Sequence, residues 1–279
     1  VAEVSTSAER YPLRNASPEE ADRLGSLQSL HDASTVRRLE RLGIGPGWHC
    51  AELGAGAGSI ARFMADRVGE DGSVTAIDRD TTLLADLGAR HNVTVVADDL
   101  GTMDFGRSRF DLVHSRSVLM HIDDADAVVE RIVAALRPGG AVLFEEADGS
   151  PATVAAARAD LPAPFRAVMV PLASRWTWAR GAAERLDALG MVDVHDDVRE
   201  DLLRGASPGA AFWRQTLRSI RPLVTDGPRM AALGHHSIDD AGIDAMLELL
   251  EDPAFEVPFT ARHRVSARAP SPESGPGPL

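Results

Sequence analysis

The chain has 279 residues, 44% of them hydrophobic and 25% charged. That balance excludes a disordered or fibrous chain and suits one domain with an elaboration, long enough to bury a sizeable core. The formal net charge of -13 disfavours a nucleic-acid partner, because binding a phosphate backbone depends on basic surface that releases counterions. With a single cysteine, Cys50, there is neither an intrachain disulfide nor a thiolate metal cluster. No apolar run approaches the roughly 18 residues of a membrane span, and V-A-E-V-S-T-S-A-E-R at the start has no hydrophobic signal core. The expectation is a cytoplasmic protein with no membrane partner.

Residues 1 to about 22 are polar and read as irregular, apart from Tyr11, the only tyrosine. From Ala21 to Leu42, leucines at 24, 27, 30, 39 and 42 with Val36 make a helical stripe, interrupted near Asp32, which Gly43, Gly45, Pro46 and Gly47 end. Trp48 to Leu53 reads as a buried strand, and Ile60, Phe63, Met64 and Val68 recur at helical spacing. The stretch between, A-E-L-G-A-G-A-G-S, is therefore a strand-to-helix turn. Gly54, Gly56 and Gly58 alternate in it, so the backbone can turn sharply and approach a ligand that any Cβ would hold away. The dinucleotide fingerprint would need glycine or alanine at 59, where the chain has Ser59. The pattern is G-x-G-x-G with Glu52 two residues ahead.

Strands and helices then alternate, the pattern of a parallel sheet covered on both faces. Val74 to Asp78 reads as the second strand, followed by a helix carrying Leu83, Leu84 and Leu87. Val93 to Asp98 reads as the third strand and Phe110 to Ser115 as the fourth. A helix follows with Val128, Val129, Ile132, Val133 and Leu136 on one face and Asp123 as its N-cap. Arg137-Pro138-Gly139-Gly140 breaks it, and Ala141 to Phe144 makes the fifth strand, ending in Glu145, Glu146 and Asp148. Ligands of such sheets bind at the carboxyl ends of the strands. There Asp78 can accept hydrogen bonds from both hydroxyls of a ribose, as the same acid does in NAD-binding proteins.

E-L-G-A-G-A-G resembles the first motif of the class I S-adenosylmethionine-dependent methyltransferases, an acid, one residue, then G-x-G-x-G. Asp78, Asp98 and the R-P-G-G turn follow in the order and spacing of that family, so the resemblance runs from Glu52 to Asp148. It implies a doubly wound, mostly parallel, seven-stranded Rossmann-like sheet and S-adenosylmethionine as cofactor. The implied cofactor contacts are Glu52, Gly54, Ala55, Gly56 and Gly58 at the turn, with Asp78 and Arg79 after the second strand. Asp98 and the amide of Asp99 lie at the adenine, and Ser115 at the end of strand four. That end carries His114-Ser115-Arg116-Ser117 in place of the aspartate of catechol-type relatives or the N-P-P-Y of amino-methylating nucleic-acid enzymes. In L-M-H-I, Met120 stands where metal-binding quinone-pathway relatives have glutamate, so no catalytic metal is expected, and His121 reads as structural. Methyl transfer needs alignment more than a base. The candidates for a catalytic role are Tyr11, Arg116, Glu145 or Glu146, and His235 or His236.

Beyond Asp148 the chain departs from the minimal fold. Phe165, Met169, Trp176, Trp178, Phe212 and Trp213 suit an apolar or aromatic acceptor, or an ordinary core. A helix from about Ala179 to Leu189 leads to a sixth strand, Met191 to Val198, and Phe259 to Ala269 alternates as the seventh. The insertion between them reads as helical, with Ser207-Pro208 starting one helix and Ser237-x-x-Asp240 another. It is expected to form a lid over the acceptor with the N-terminal helices, or to cover its apolar faces on a partner chain in a homodimer. The expected organisation is cap helices over 1–45, a core over 46–204, a lid over 205–256, the last strand over 257–269 and a disordered tail over 270–279. The expected activity is methyl transfer to a small-molecule acceptor in a biosynthetic pathway. The alternatives are a family member that binds the cofactor but catalyses a non-methylating reaction, and an NAD-dependent oxidoreductase.

Overall fold

The structure is a computed structural model that describes residues 18–150, 158, 160–232 and 237–271. Tyr11, His235 and His236 lie outside the described residues, as does the tail from 272. The chain forms two units. A sheet unit takes His31–Asp148, Trp176–Arg199 and the described residues from Ala261 onward; a helical unit takes the described residues up to Leu30, from Gly149 to Arg175, and Glu200–Thr260.

The sheet is built from β1 (His49–Leu53), β2 (Ser73–Asp78), β3 (Val93–Ala97), β4 (Phe110–Arg116), β5 (Leu136–Asp148), β6 (Val192–Asp196), β7 (Arg199–Arg204) and β8 (Glu256–Arg268). Its order is β3-β2-β1-β4-β5-β8-β6, with β7 paired to β8. β1 to β5 pair in parallel. β8 runs antiparallel between β5 and β6. The strands of the parallel half are buried on both faces, which is why they read as short apolar runs. Chain order reverses between β1 and β4, and at that switch point the glycine turn opens.

Helices cover both faces. α1 (Pro18–Arg41) buries Leu39 against the face carrying Cys50, Leu112 and Leu143, together with α2 (Ser59–Val68), whose Ile60, Ala61, Met64, Ala65 and Val68 form one stripe. α3 (Ala85–Gly88) continues from a 3-10 turn over Thr82–Leu84. On the other face lie α4 (Ala125–Ala135), with Val128, Val129 and Ile132, and α5 (Ala182–Ala188), with Ala182 and Leu186, packed on Leu53, Val113 and Phe144. Burying each such large aliphatic side chain is worth about 1.5–3 kcal/mol.

In the helical unit, Ser207 caps α6 (Pro208–Val224) by accepting the Ala210 amide at 3.1 Å, with Pro208 at the first turn. α7 (Asp240–Leu249) is tied to it through Arg221, which reaches Asp240 and Asp244. Phe165 packs against Phe255 and Phe259, and Trp213 meets Phe259 edge-on at 5.0 Å. These rings are the core of their unit.

Several boundaries differ from the sequence-based expectation. α1 starts at Pro18 and runs without a break through Asp32, whose carboxylate is held by Arg116 at 2.8 Å. Asp124, not Asp123, caps α4, accepting the Ala127 amide at 3.1 Å. Asp239, not Ser237, caps α7 by accepting the Gly242 amide at 3.3 Å. β5 begins at Leu136, so the R-P-G-G stretch is a register irregularity inside the strand and not a break before it. The sheet has eight strands, because β7 was not anticipated.

Candidate functional site

The carboxyl ends of β1, β2, β3, β4 and β5 share one edge of the sheet unit, as the pairs Leu53–Ile77, Asp78–Ala97, Leu53–Ser115 and Arg116–Glu145 show. At its centre is the glycine turn. Gly54, Gly56 and Gly58 all adopt left-handed backbone, with φ of 63, 55 and 76°, a conformation that costs other residues roughly 1–2 kcal/mol. The turn is latched to β2: the Ala55 amide donates to the Ile77 carbonyl at 2.9 Å, and the Gly56 amide to Asp78 Oδ2 at 2.8 Å. Side chains crowd the turn from beneath. A Cβ on Gly54 would collide with Val118, and one on Gly58 would lie 2.8 Å from Leu84.

Asp78 also accepts the Asp80 amide on Oδ1 at 3.0 Å. A carboxylate offers about four lone-pair sites, so two bound amides leave capacity for two further donors such as ribose hydroxyls. Burial pushes the Asp78 carboxyl above its ordinary range, with the Asp80 and Gly56 amides opposing. Its anion is thus costly to hold and responsive to donors. Asp98 and Asp99 follow the end of β3 at Ala97, one residue short of the expected end of strand three, and Asp98 Oδ1 takes the Asp99 amide at 2.7 Å and Asp99 Oδ1 the Gly101 amide at 2.9 Å. Arg79 is exposed beside Asp78. The structure therefore brings the expected cofactor residues to one edge.

Glu52 and Ser115 face inward. Glu52 is buried, and the His114 Nδ1–H donates to its Oε2 at 2.6 Å. The Ser115 hydroxyl donates to Glu146 Oε1 at 2.8 Å. Glu146, expected as a catalytic candidate, is a buried acceptor for the loop after β4: it takes the amides of Val118 at 3.0 Å and Met120 at 3.3 Å. Burial raises its carboxyl above the usual range, and the Val118 amide and Ser115 hydroxyl pull it back. Arg116 is spent on Asp32 and on Thr35 Oγ1, 2.9 Å away. His121 is exposed at the end of a 3-10 turn, edge-on to Trp176. The six cap residues expected around an acceptor are divided between the two units. Phe165, Met169, Phe212 and Trp213 belong to the helical unit; Trp178 packs on Phe144 and donates to Asp126 in the sheet unit.

Two histidines were given no role from the sequence. His114 sits between Glu52 and Glu145. His263, on β8, has Nδ1 2.7 Å from Asp196 Oδ2 and Nε2 3.9 Å from Asp148 Oδ2. For His114 the signal was a histidine inside an apolar strand, where burial demands partners. No helix among the described residues is long and apolar enough to cross a membrane.

Residues 50–140 match the family model described as a methyltransferase domain. Phosphoethanolamine N-methyltransferase 1 of Arabidopsis thaliana is 27% identical over 128 residues, 44% of this chain and 26% of that protein. The ubiquinone/menaquinone biosynthesis C-methyltransferase UbiE of Shewanella piezotolerans is 29% identical over 115 residues, 39% of this chain and 46% of that one. Phosphoethanolamine N-methyltransferase 2 of Haemonchus contortus, solved with phosphomonomethylethanolamine and S-adenosylhomocysteine, superposes with a TM-score of 0.52 at 20% identity, covering 86% of this chain and 53% of that one. At that identity the likeness is one of fold. The chain spans less than half the length of these two curated relatives.

Proposed function

We propose that the chain, whose residues 50–140 match a methyltransferase domain, is a class I S-adenosylmethionine-dependent methyltransferase that passes a methyl group from that cofactor to a small, apolar or aromatic metabolite in a biosynthetic pathway. The observation that carries this reading is the left-handed glycine turn latched to Asp78 at the switch point of the sheet. Gly54, Gly56 and Gly58 would admit the cofactor to the backbone, and Asp78 would take its ribose hydroxyls. S-adenosylmethionine supplies an electrophilic methyl group on a sulfonium, open to in-line displacement. The protein's share is alignment and exclusion of water, which supplies roughly 7–11 kcal/mol when geometry is right. A base is required only where the acceptor must lose a proton. Arg116 and Glu146 are both engaged with protein groups.

Thermal-shift titration tests the reading: S-adenosylhomocysteine is expected to stabilise the chain and NAD to leave it unmoved. A shift with NAD alone would move the glycine turn to an oxidoreductase. Cofactor binding with no transfer to any acceptor in a labelled-methyl screen would leave a member that drives a different reaction.

Replacing Asp78 by alanine is expected to weaken S-adenosylhomocysteine binding by roughly 1.5–3 kcal/mol for each charge-assisted hydrogen bond lost, read by calorimetry. An unchanged dissociation constant would remove Asp78 from the site. Because its carboxyl is raised, wild-type affinity should also fall on acidification, starting at higher pH than an ordinary aspartate would give. An affinity flat down to the ordinary aspartate range would contradict that.

A further inference from the structure

A polar chain crosses the sheet unit from β1 to α1. Glu52 and His114 are cross-strand neighbours in register, and Glu145 is the diagonal neighbour of His114 on β5, since His114 pairs with Leu143 and Arg116 with Glu145. His114 donates from Nδ1 to Glu52 at 2.6 Å and from Nε2 to Glu145 at 3.3 Å. Glu145 Oε2 also accepts the hydroxyl of Thr35 on α1. Thr35 accepts from Arg116, and Arg116 pairs with Asp32 one turn earlier on α1. His114 is fully buried, and Glu52 and Glu145 are nearly so. An imidazole that donates from both nitrogens to carboxylates is a cation.

We propose that His114 is a positioning residue for the cofactor: held as an imidazolium between Glu52 and Glu145, it presents the carboxylate two residues before Gly54 as an oriented anion and ties it to α1. The proposal rests on the reading of the glycine turn as the cofactor site. Three observations support it. Glu52 is the penultimate residue of β1, the strand that feeds the turn, so its orientation and the turn's are set together. Glu145 shares its Oε2 between His114 and Thr35, so the second half of α1 and the acid of the turn hang on one ring. The surrounding charges suit a proton on that ring. Burial disfavours it, yet the charge of Glu52 and the hydrogen bonds to Glu145 and Glu52 raise the His114 pKa to about 9. Burial likewise works against the Glu145 anion, but the hydrogen bond and charge of His114, with Thr35 and Arg116, hold its carboxyl well below the usual range. The other groups facing the chain are Asp32 and His31 of α1, and Arg262 and Arg264 of β8, with Arg264 Nε 3.8 Å from Glu145. His31 stays neutral, lowered to about 2 by burial first and by Arg262 and Arg116 next.

The sign follows. A histidine whose folded pKa is raised contributes below its unfolded value and loses that contribution as pH rises through about 9. The test is calorimetric titration of S-adenosylhomocysteine into the full chain from pH 7 to 10, for wild type, His114→Gln and Asp78→Asn. The ligand's own ammonium titrates in the same range in all three, so differences isolate the protein. His114→Gln is expected to bind about tenfold more weakly at pH 7 and to lose the wild-type fall near pH 9, whereas Asp78→Asn weakens binding throughout and keeps that fall. A His114→Gln profile that superposes on wild type overturns the proposal. Should that variant not fold, nitrogen NMR of the wild-type histidines decides: one ring protonated on both nitrogens at pH 8, and shifted by the ligand, is expected. Titration of every ring below pH 8, or no response to the ligand, overturns it. If wild type binds no S-adenosylhomocysteine at any pH, the cofactor reading fails instead, and the NMR titration still reports the proton on His114.

Discussion

Replacing Gly54 by alanine is expected to produce the largest loss of stability and to abolish cofactor binding. Two costs add. The residue sits at φ 63°, where a Cβ costs roughly 1–2 kcal/mol. That Cβ would also be driven into Val118, and overpacking of this kind costs typically about 1–3 kcal/mol. Urea denaturation separates them through a double variant. Gly54→Ala with Val118→Ala should regain the packing part and keep the backbone part, leaving a residual loss of about 1–2 kcal/mol. Since Ala55 and Gly56 latch the turn to β2, the double variant should still bind S-adenosylhomocysteine poorly. A single variant with an unchanged urea midpoint would mean that the turn does not have this conformation.

The second large effect is expected at Glu146. Its carboxylate accepts the amides of Val118 and Met120 and the hydroxyl of Ser115, fixing the loop between β4 and α4. Glu146→Ala strands these donors, at roughly 1–3 kcal/mol for each left unsatisfied in the interior, so a total on the order of 3 kcal/mol is expected. Glu146→Gln keeps one acceptor oxygen and no charge, and should cost less. The pH dependence has a sign of its own. Burial raises this carboxyl in the folded state, so protonation is easier folded than unfolded, and the penalty of holding the anion is relieved as pH falls toward that raised value. Glu146→Gln does not titrate and starts out less stable, so the advantage of wild type over it should grow on mild acidification in urea titrations. An advantage that shrinks instead would show that the anion is favoured by its surroundings.

Residues a short distance apart in sequence made much of this legible. The glycine turn, the strands on either side of it and Asp78 could be read because apolar runs and turn chemistry act within a few residues. What could not be read depends on partners far along the chain. Asp32 looked like a helix break because aspartate is a poor interior helix residue; Arg116, 84 residues away, compensates it. β7 carries Arg199, Glu200, Asp201 and Arg204 around one buried leucine, Leu203, and forms only because β8 offers an edge. The paired acids Asp123 and Asp124 gave a one-residue error, since they are equivalent as text while the backbone selects one as the cap; Asp239 caps where Ser237 was expected because its carboxylate meets the Gly242 amide.

Glu145 and Glu146 show the same limit at the site. Adjacent strand residues face opposite sides of a sheet. One therefore enters the polar chain with His114 and the other holds the loop after β4. Which does which depends on register with β4, which no local pattern encodes. His114 was passed over because it filled a position where two known signatures were missing. Its meaning lies in Glu52, 62 residues earlier. The aromatic residues of the cap region were ambiguous between pocket and core for a related reason. Phe165 is buried and Trp213 half-buried, and both pack on Phe259, at 6.0 and 5.0 Å.

The central claim is that the glycine turn and Asp78 hold a sulfonium nucleoside. A crystal of the full chain grown with S-adenosylhomocysteine tests it most directly. The account predicts its adenosyl group in the crevice beside Gly56, with both ribose hydroxyls within hydrogen-bond distance of Asp78. Density for the ligand elsewhere, or for a different nucleotide carried through purification in that crevice, would contradict it.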